Sequence, residues 1–264
     1  MTVEELQKKL ADLPLAKIIY FEEIGSTNDF ALHLLVEDEG CEDGTLVIAD
    51  AQTAGRGRFD RKWYTHPNSS LAFSLAIIPS LEEAQKNALF APLGALAVSL
   101  ALEDLGLKPK IKWPNDVLLD ERKTCGVLAE SCWLGGQLKG IVLGIGVNIG
   151  KDSIPKAEDL LFPATCVEAH YHKPLDRLDL LRDILKHVFL WRETLTCDNF
   201  IKAWEERLAY KGKYVTLQSR NNEAPIKGKM LGVTSEGYLR LEAEPHGSEI
   251  NVMIGDLKLR PSVE

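Results

Sequence analysis

Four short stretches of this 264-residue chain combine residue types suited to handling small anions. Gln52 to Trp63 reads QTAGRGRFDRKW, with Gly55 and Gly57 alternating with Arg56 and Arg58 directly after an apolar run. The glycines let the backbone bend tightly, so that its amides can turn toward phosphate or carboxylate oxygens, and the arginines supply counter-charge. Ile111 to Asp116 reads IKWPND, where Pro114 keeps Trp113 extended or turned and leaves Lys112, Asn115 and Asp116 at a strand break. A lysine beside an Asn-Asp pair offers a phosphate contact and a magnesium ligand together. Arg122 to Glu130, RKTCGVLAE, places Lys123 at the mouth of a buried strand. Gly144 to Asn148, GIGVN, bares one face of a strand, against which a flat ligand can lie. Each stretch alone has an ordinary counterpart: a solvated basic loop, a Pro-Asn-Asp turn, an exposed lysine, a tight packing contact. The chain contains no GxxxxGK(S/T) phosphate loop.

The elements that must position these groups follow from hydrophobic periodicity. Strands are expected at 17–22, 46–51, 70–78, 110–113, 116–119, 125–132 and 138–147, the last two in one sheet. A helix is expected from Asn28 to Glu37 with Ser26 or Thr27 as N-cap, and another from Glu82 to Leu105, where Pro92 marks a kink or restart and Gly106 a stop. Helices return at 175–195 and 197–210, whose Trp191 and Trp204 read as core. From Tyr214 the period drops to two, with short strands separated by turn pairs such as Asn221-Asn222 and Glu236-Gly237, a spacing that fits a small β-barrel. The boundary falls at Ala209–Gly212, dividing residues 1–210 from 211–264.

Composition bounds the function. Hydrophobic content of 45%, charged content of 27% and a net charge of −8 suit a soluble cytoplasmic enzyme, and no uninterrupted apolar run is long enough for a membrane span. Residues 1–50 hold twelve acids against three bases, while Arg56–Trp63 holds four bases against Asp60 alone. A basic loop in an acidic protein points to a small anionic ligand rather than to nucleic acid, which needs a broad basic face. Five cysteines without a CxxC pair argue for reduced thiols and against zinc. His170 and His172 would share a face of an extended segment, but no third metal ligand accompanies them.

In order and approximate spacing, GSTN (25–28), QTAGRGRFDRKW, KWPND (112–116), RKTCGVLAE and GIGVN resemble the biotin protein ligases, over about residues 20–149. The resemblance implies an α+β fold: a class II aminoacyl-tRNA-synthetase-like catalytic domain, with a mixed and mainly antiparallel sheet flanked by helices, followed by a small SH3-like β-barrel. It implies that Ser26, Thr27, Asn28 and Gln52 bind the biotin head. Gly55, Arg56, Gly57 and Arg58 would close over the ligand, Lys123 would lie near its carboxylate, and Gly126, Leu128, Gly144 and Val147 would form the walls. Arg58, Arg61, Lys112 and Asn115 would face the phosphates of ATP, Trp63 and Asn148 its nucleoside, and Asp116 would hold Mg²⁺. Arg58, Lys112 and Lys123 would be catalytic. The implied partner is a biotin carboxyl carrier protein. The expected form is a ligase without an N-terminal DNA-binding domain, since only a short helix through Val3, Leu6 and Leu10 precedes the first strand; neither DNA nor membrane is expected as a partner.

The residue types suit that chemistry. A carboxylate attacking the α-phosphorus of ATP brings two anions together, which at ~4 Å and an effective dielectric of about 20 costs on the order of 4 kcal/mol. Arg58, Lys112, Lys123 and Mg²⁺ would offset that repulsion. Two alternatives compete: a lipoate or octanoate ligase, which would lack a polar site for a ureido head, and a non-enzymatic nucleotide- or RNA-binding module. A homodimer is expected through a sheet edge at Gly126–Ala129 and Ile141–Val147.

Overall fold

The computed structural model describes all residues except 38–40, 60, 157–159, 161, 220–223, 254–256 and 262–264. Asp60 and the Asn221-Asn222 turn therefore lie outside the described residues. A seven-stranded sheet carries β1 (Lys17–Ile24), β2 (Thr45–Gln52), β3 (Ser70–Ile77), β4 (Lys110–Lys112), β5 (Asp116–Leu119), β6 (Arg122–Leu134) and β7 (Gln137–Asn148). Its order is β1-β2-β3-β7-β6-β5-β4, with β1 and β2 parallel and every other neighbour antiparallel. This is the mixed, mainly antiparallel sheet expected. Strand β7 is paired with β3 and with β6 along Ile141–Val147, so that segment presents no edge for a second chain. The expected dimer edge is corrected to this extent, because the apolar character of β7 comes from a central position.

The two faces of the sheet are covered differently. On one, α4 (Phe90–Asp104) packs against β4 to β7 and is backed by α6 (Arg177–Arg192), in a core that includes Leu143, Ile145, Val147 and Val127. The helix expected over 82–105 is in fact divided. Ser80 caps α3 (Leu81–Gln85) in a capping box with Glu83, a short 3₁₀ turn follows at Asn87–Leu89, and α4 then begins. Pro92 sits in the first turn of α4, where the missing N–H has no intrahelical partner to lose, so it marks a restart. The stretch Asn87–Asp104 is apolar and long enough to cross a membrane, and here it is the core helix. On the opposite face, α2 (Thr27–Glu37) packs through Ala31 and Leu35 onto Val47, Ala76 and Val142.

The first helix, α1 (Val3–Lys9), is closed by a Thr2–Glu5 capping box and buries Leu6 and, just beyond it, Leu10. His170 lies in a one-turn helix, α5 (Glu168–Tyr171), with His172 just past its end, so the two do not share a strand face. His170 instead meets Thr165 and Asp120. After α7 (Asp198–Glu206), which buries Trp204, the chain turns at Gly212 into a separate five-stranded antiparallel sheet. Its strands are β8 (Tyr214–Ser219), β9 (Ile226–Val233), β10 (Leu239–Ala243), β11 (Ser248–Val252) and β12 (Leu257–Pro261), in the order β11-β10-β9-β8-β12. The turn at Glu236-Gly237 reaches back to the first sheet, where the indole of Trp113 donates to the Gly237 carbonyl at 3.1 Å.

Candidate active site

Period two on β7 puts Gly140, Val142, Gly144, Gly146 and Asn148 on the α2 face, and sheet register extends this into rows of small residues. Ala72, Gly146 and Gly126 lie side by side across β3, β7 and β6, as do Ser74, Gly144 and Leu128. A side chain at Gly146 would stand 2.3 Å from the indole of Trp63, and one at Gly126 3.1 Å from the same ring. At Gly144 it would collide with the amide of Asn28. The bare strand face is thus covered by the protein's own Trp63 and Asn28, which bound a cavity of about 130 Å³.

The floor of this cavity is neutral and hydrogen-bonded. Gln52 Oε1 accepts from the Thr27 backbone N–H at 2.8 Å and lies 3.1 Å from Thr27 Oγ1. Ser26 caps α2 by accepting from the Asp29 N–H at 3.3 Å. Behind them, the Ser74 hydroxyl lies 2.8 Å from Thr27 Oγ1 and 2.6 Å from Asn28 Oδ1. The amide nitrogen of Asn28 donates to Glu130 at 2.8 Å and to the Leu128 carbonyl at 3.4 Å. Arg56 closes the side with a two-pronged contact to Glu130, at 2.9 and 2.8 Å, and an ion pair to Asp29 at 2.5 Å. Burial opposes the Arg56 charge, but Glu130 and Asp29 outweigh it and raise its pKa.

The mouth is charged. Asp116 holds Lys123 at 2.6 Å through one carboxylate oxygen and Lys112 at 3.4 Å through the other. Burial works against its ionised form, yet the two lysines prevail and hold its pKa below the ordinary carboxylate value. Lys112 also lies 4.3 Å from the Phe162 ring centroid. The Asn115 backbone carbonyl accepts from the Val127 N–H, its side-chain amide donates to the Val127 carbonyl, and its side-chain oxygen turns toward Arg58 at 3.4 Å. A second cavity of about 240 Å³ continues from Trp63, Lys112, Asp116 and Lys123 to Asn148, Pro155, Leu160 and Phe162. Two joined compartments, one neutral and one cationic, fit a ligand with an uncharged head and an anionic end.

Residues 20–148 match the biotin/lipoate A/B protein ligase family. A biotin–[acetyl-CoA-carboxylase] ligase of Paracoccus denitrificans is 33% identical over 237 residues, which cover 85% of this chain and 93% of the relative. The chain belongs to this family. The bifunctional ligase/repressor BirA of Bacillus spizizenii is 32% identical over 234 residues, covering 86% of this chain and 70% of the relative. Among solved structures, the biotin protein ligase of Aquifex aeolicus in complex with biotin and ATP superposes with a TM-score of 0.77 at 30% identity, covering 94% of this chain and all of that one.

Most of the ligase residues singled out from sequence converge. Ser26, Thr27, Asn28, Gln52, Arg56, Gly57, Arg58, Arg61, Trp63, Lys112, Asn115, Asp116, Lys123, Gly126, Leu128 and Gly144 all line the first cavity. Val147 does not. It lies on the other side of β7 in the α4 core and lines neither cavity. Gly55 packs beneath the Trp63 carbonyl, below the loop, and Asn148 lines only the second cavity, donating to the Thr165 carbonyl at 3.2 Å. Asn28 and Arg56 point into the protein's own network. Ser74 and Glu130 are the residues that sequence reasoning missed. A signal existed for each: Glu130 continues the alternation Gly126, Leu128, and Ser74 is a fully buried hydroxyl within an apolar strand.

Proposed function

We infer that the chain is an ATP-dependent biotin–protein ligase, and that the neutral compartment takes the biotin head while the charged one takes the carboxylate and triphosphate. In the first step, a carboxylate oxygen of biotin attacks the α-phosphorus of ATP and pyrophosphate leaves, giving biotinyl-5'-AMP. In the second, the amine of a lysine on a biotin carboxyl carrier protein attacks the anhydride carbonyl and AMP leaves.

The observation that carries this reading is the polarity of the floor. With its oxygen committed to the Thr27 N–H, the Gln52 amide nitrogen remains as a donor, and with its lone pair committed to the Asp29 N–H, the Ser26 hydroxyl remains a donor as well. Donors beside the Thr27 oxygen complement a ureido group, which presents one carbonyl and two N–H groups. A dithiolane offers no such partners. Lys123 and Lys112, both at the junction of the compartments, suit the reacting carboxylate and phosphates, and Arg58 is placed to join them. The adenylate is a mixed anhydride that water cleaves, so a site walled by Trp63 and closed by the Arg56–Glu130 contact suits its retention.

Magnesium fits the donors present. Among the described residues no three His, Cys, Asp or Glu side chains converge on a metal site, but a magnesium ion on a nucleotide needs only one or two carboxylates in addition to phosphate oxygens. Asp116 is the carboxylate that would hold it, with the Asn115 oxygen nearby, and the ion would supply charge neutralisation of the triphosphate. The deciding assay is ATP–pyrophosphate exchange. Exchange that requires biotin is expected, and exchange supported by lipoate in its place, or by neither acid, would refute the assignment.

A further inference from the structure

Four lysines from two distant segments meet around one groove outside the cleft. Lys108 and Lys110 come from the approach to β4 and its first residue, and Lys211 and Lys213 from the connection to the second sheet. The segments are tied together along the outer edge of β4. There the Ile111 N–H donates to the Arg207 carbonyl and the Ala209 N–H to the Ile111 carbonyl, both at 2.8 Å. The Gly212 N–H donates to the Met230 carbonyl at 2.8 Å and the Met230 N–H to the Lys213 carbonyl at 3.0 Å, which anchors the second pair of lysines to β9. The groove they enclose measures about 360 Å³. All four side chains are exposed. Lys211 lies 3.4 Å from Glu205, whereas Lys108, Lys110 and Lys213 form no ion pair among the described residues. The acids on the rim, Asp120 and Glu121, leave the groove net positive, and Asp120 is turned to His170 at 3.2 Å. In a chain of net charge −8 this is a local positive field that its own carboxylates only partly offset.

The groove's place relative to the cleft selects its partner. Lys110 and Lys112 project from the same side of β4, two residues or roughly 7 Å apart, with Lys112 in the mouth and Lys110 on the groove. Opposite them on β5, Asp116 lines the mouth and Leu118 the groove. We propose that this lysine groove docks an acidic face of the acceptor protein while the acceptor's own lysine enters the mouth. The proposal rests on the reading of the chain as a biotin–protein ligase. In the transfer step the amine must reach an anhydride beside Lys112 and Lys123, so the body of the acceptor lies over the rim. A standard interface covers ~800 Å² of each partner, roughly 16 Å in radius, and extends across a groove one step along β4. The acceptor lysine also arrives as a cation, since its pKa is about 10.4, and the mouth is itself net positive. Carboxylates beside that lysine, paired with the groove, offset the repulsion. Lysines suit such a task, because compact charges on flexible stems steer an encounter without demanding one geometry. Nucleic acid needs a broad basic face, and residues 1–50 carry twelve acids against three bases.

Charge reversal, read at each step of the reaction, tests this. In the full chain carrying Lys110→Glu and Lys213→Glu, biotin-dependent pyrophosphate exchange needs no acceptor and is expected at the wild-type rate. Formation of the biotinyl hydroxamate from hydroxylamine, which attacks the anhydride without docking, should also be unchanged. Transfer to the biotin carboxyl carrier protein of the same organism should lose about tenfold or more in kcat/KM, through KM. Wild-type transfer should slow as salt rises from about 0.02 to 0.5 M and screening shortens, and the variant should lose that dependence. Lys8→Glu with Lys186→Glu makes the same change in net charge on α1 and α6, behind α4, and should transfer normally. If the reversed variant does not fold, Lys110→Gln with Lys213→Gln should show a smaller loss of the same kind. Wild-type transfer in the folded groove variant overturns the docking surface. So does an equal loss of hydroxamate formation, which would put the lysines in the chemistry, or an equal loss in Lys8→Glu with Lys186→Glu. Absence of biotin-dependent exchange in the wild type refutes the ligase reading itself, whereas intact exchange with unaffected transfer refutes the docking surface alone.

Discussion

The floor and the mouth of the cleft meet at Trp63 but rest on different physics. The floor is built from neutral groups, Ser26, Thr27, Asn28, Gln52 and Ser74, whose donors and acceptors are matched over short distances before any ligand arrives. The mouth holds opposite charges in contact, with Lys112 and Lys123 both on Asp116, and keeps a net positive charge. A ureido head can enter the floor without breaking a protein contact. On the proposed reading, a triphosphate would instead draw the lysines from Asp116, which would free that carboxylate for a metal ion. Preorganisation at one end and exchange of partners at the other predict that biotin binds the empty protein readily, while ATP binding depends on charge and magnesium.

The largest effect should come from removing a charge at the mouth. Lys123→Ala is expected to slow biotin-dependent pyrophosphate exchange by ~1.5–3 kcal/mol, the worth of a charge-assisted contact, and to leave the biotin head affinity within a few-fold. Equal loss at both ends would erase the distinction between them. Next, Gly146→Ala drives a methyl into the Trp63 indole, which lies 2.3 Å from where the new carbon would stand. Overpacking of this kind costs roughly 1–3 kcal/mol, so either the melting temperature falls or the indole moves, and a changed tryptophan emission would reveal the latter.

Asp116→Asn addresses the mouth alone. Half-saturation of exchange by magnesium should shift to higher concentration while biotin binding without ATP is preserved; an unaltered magnesium dependence removes Asp116 from the metal site. The same residue makes a pH prediction. Its carboxyl pKa is lower in the folded chain than unfolded, owing to Lys123 and Lys112 acting against burial, so the unfolded chain takes up the proton first as pH falls. The stabilisation is therefore complete above the ordinary carboxylate range, about pH 4, and is lost below it. Acid unfolding profiles of wild type and Asp116→Asn should run parallel above about pH 5 and converge as pH falls through the ordinary carboxylate value and below it. The smallest effect is expected at the link to the second sheet. Trp113→Phe keeps an aromatic ring but removes the 3.1 Å hydrogen bond to Gly237 and part of the buried indole, which should lower stability by about 1–2 kcal/mol and raise the KM for ATP modestly, since Trp113 adjoins Lys112.

The chemistry of this protein and most of its elements are legible in the chain alone. Residue types such as the glycine–arginine alternation, the KWPND turn and Lys123 carry their meaning in local spacing, and strand and helix periods are local properties as well. Even there Val147 departs: its neighbours in GIGVN belong to the cleft, but its own parity on β7 sends it into the α4 core. Pairing across distance, by contrast, exists only in the folded molecule. The register that sets Ala72 beside Gly146 and Ser74 beside Gly144 joins β3 to a strand far along the chain, and no local signal encodes it, whereas β6 and β7 are consecutive strands that turn at Gly135-Gly136. That register explains why the glycines receive Trp63 and Asn28 in place of a bare ligand face. It also explains why Arg56 spends its charge on Glu130, 74 positions away. A side chain's type limits which bonds it is able to make; its neighbours in space, brought there by burial of the apolar faces around α2 and α4, select which of those bonds it makes.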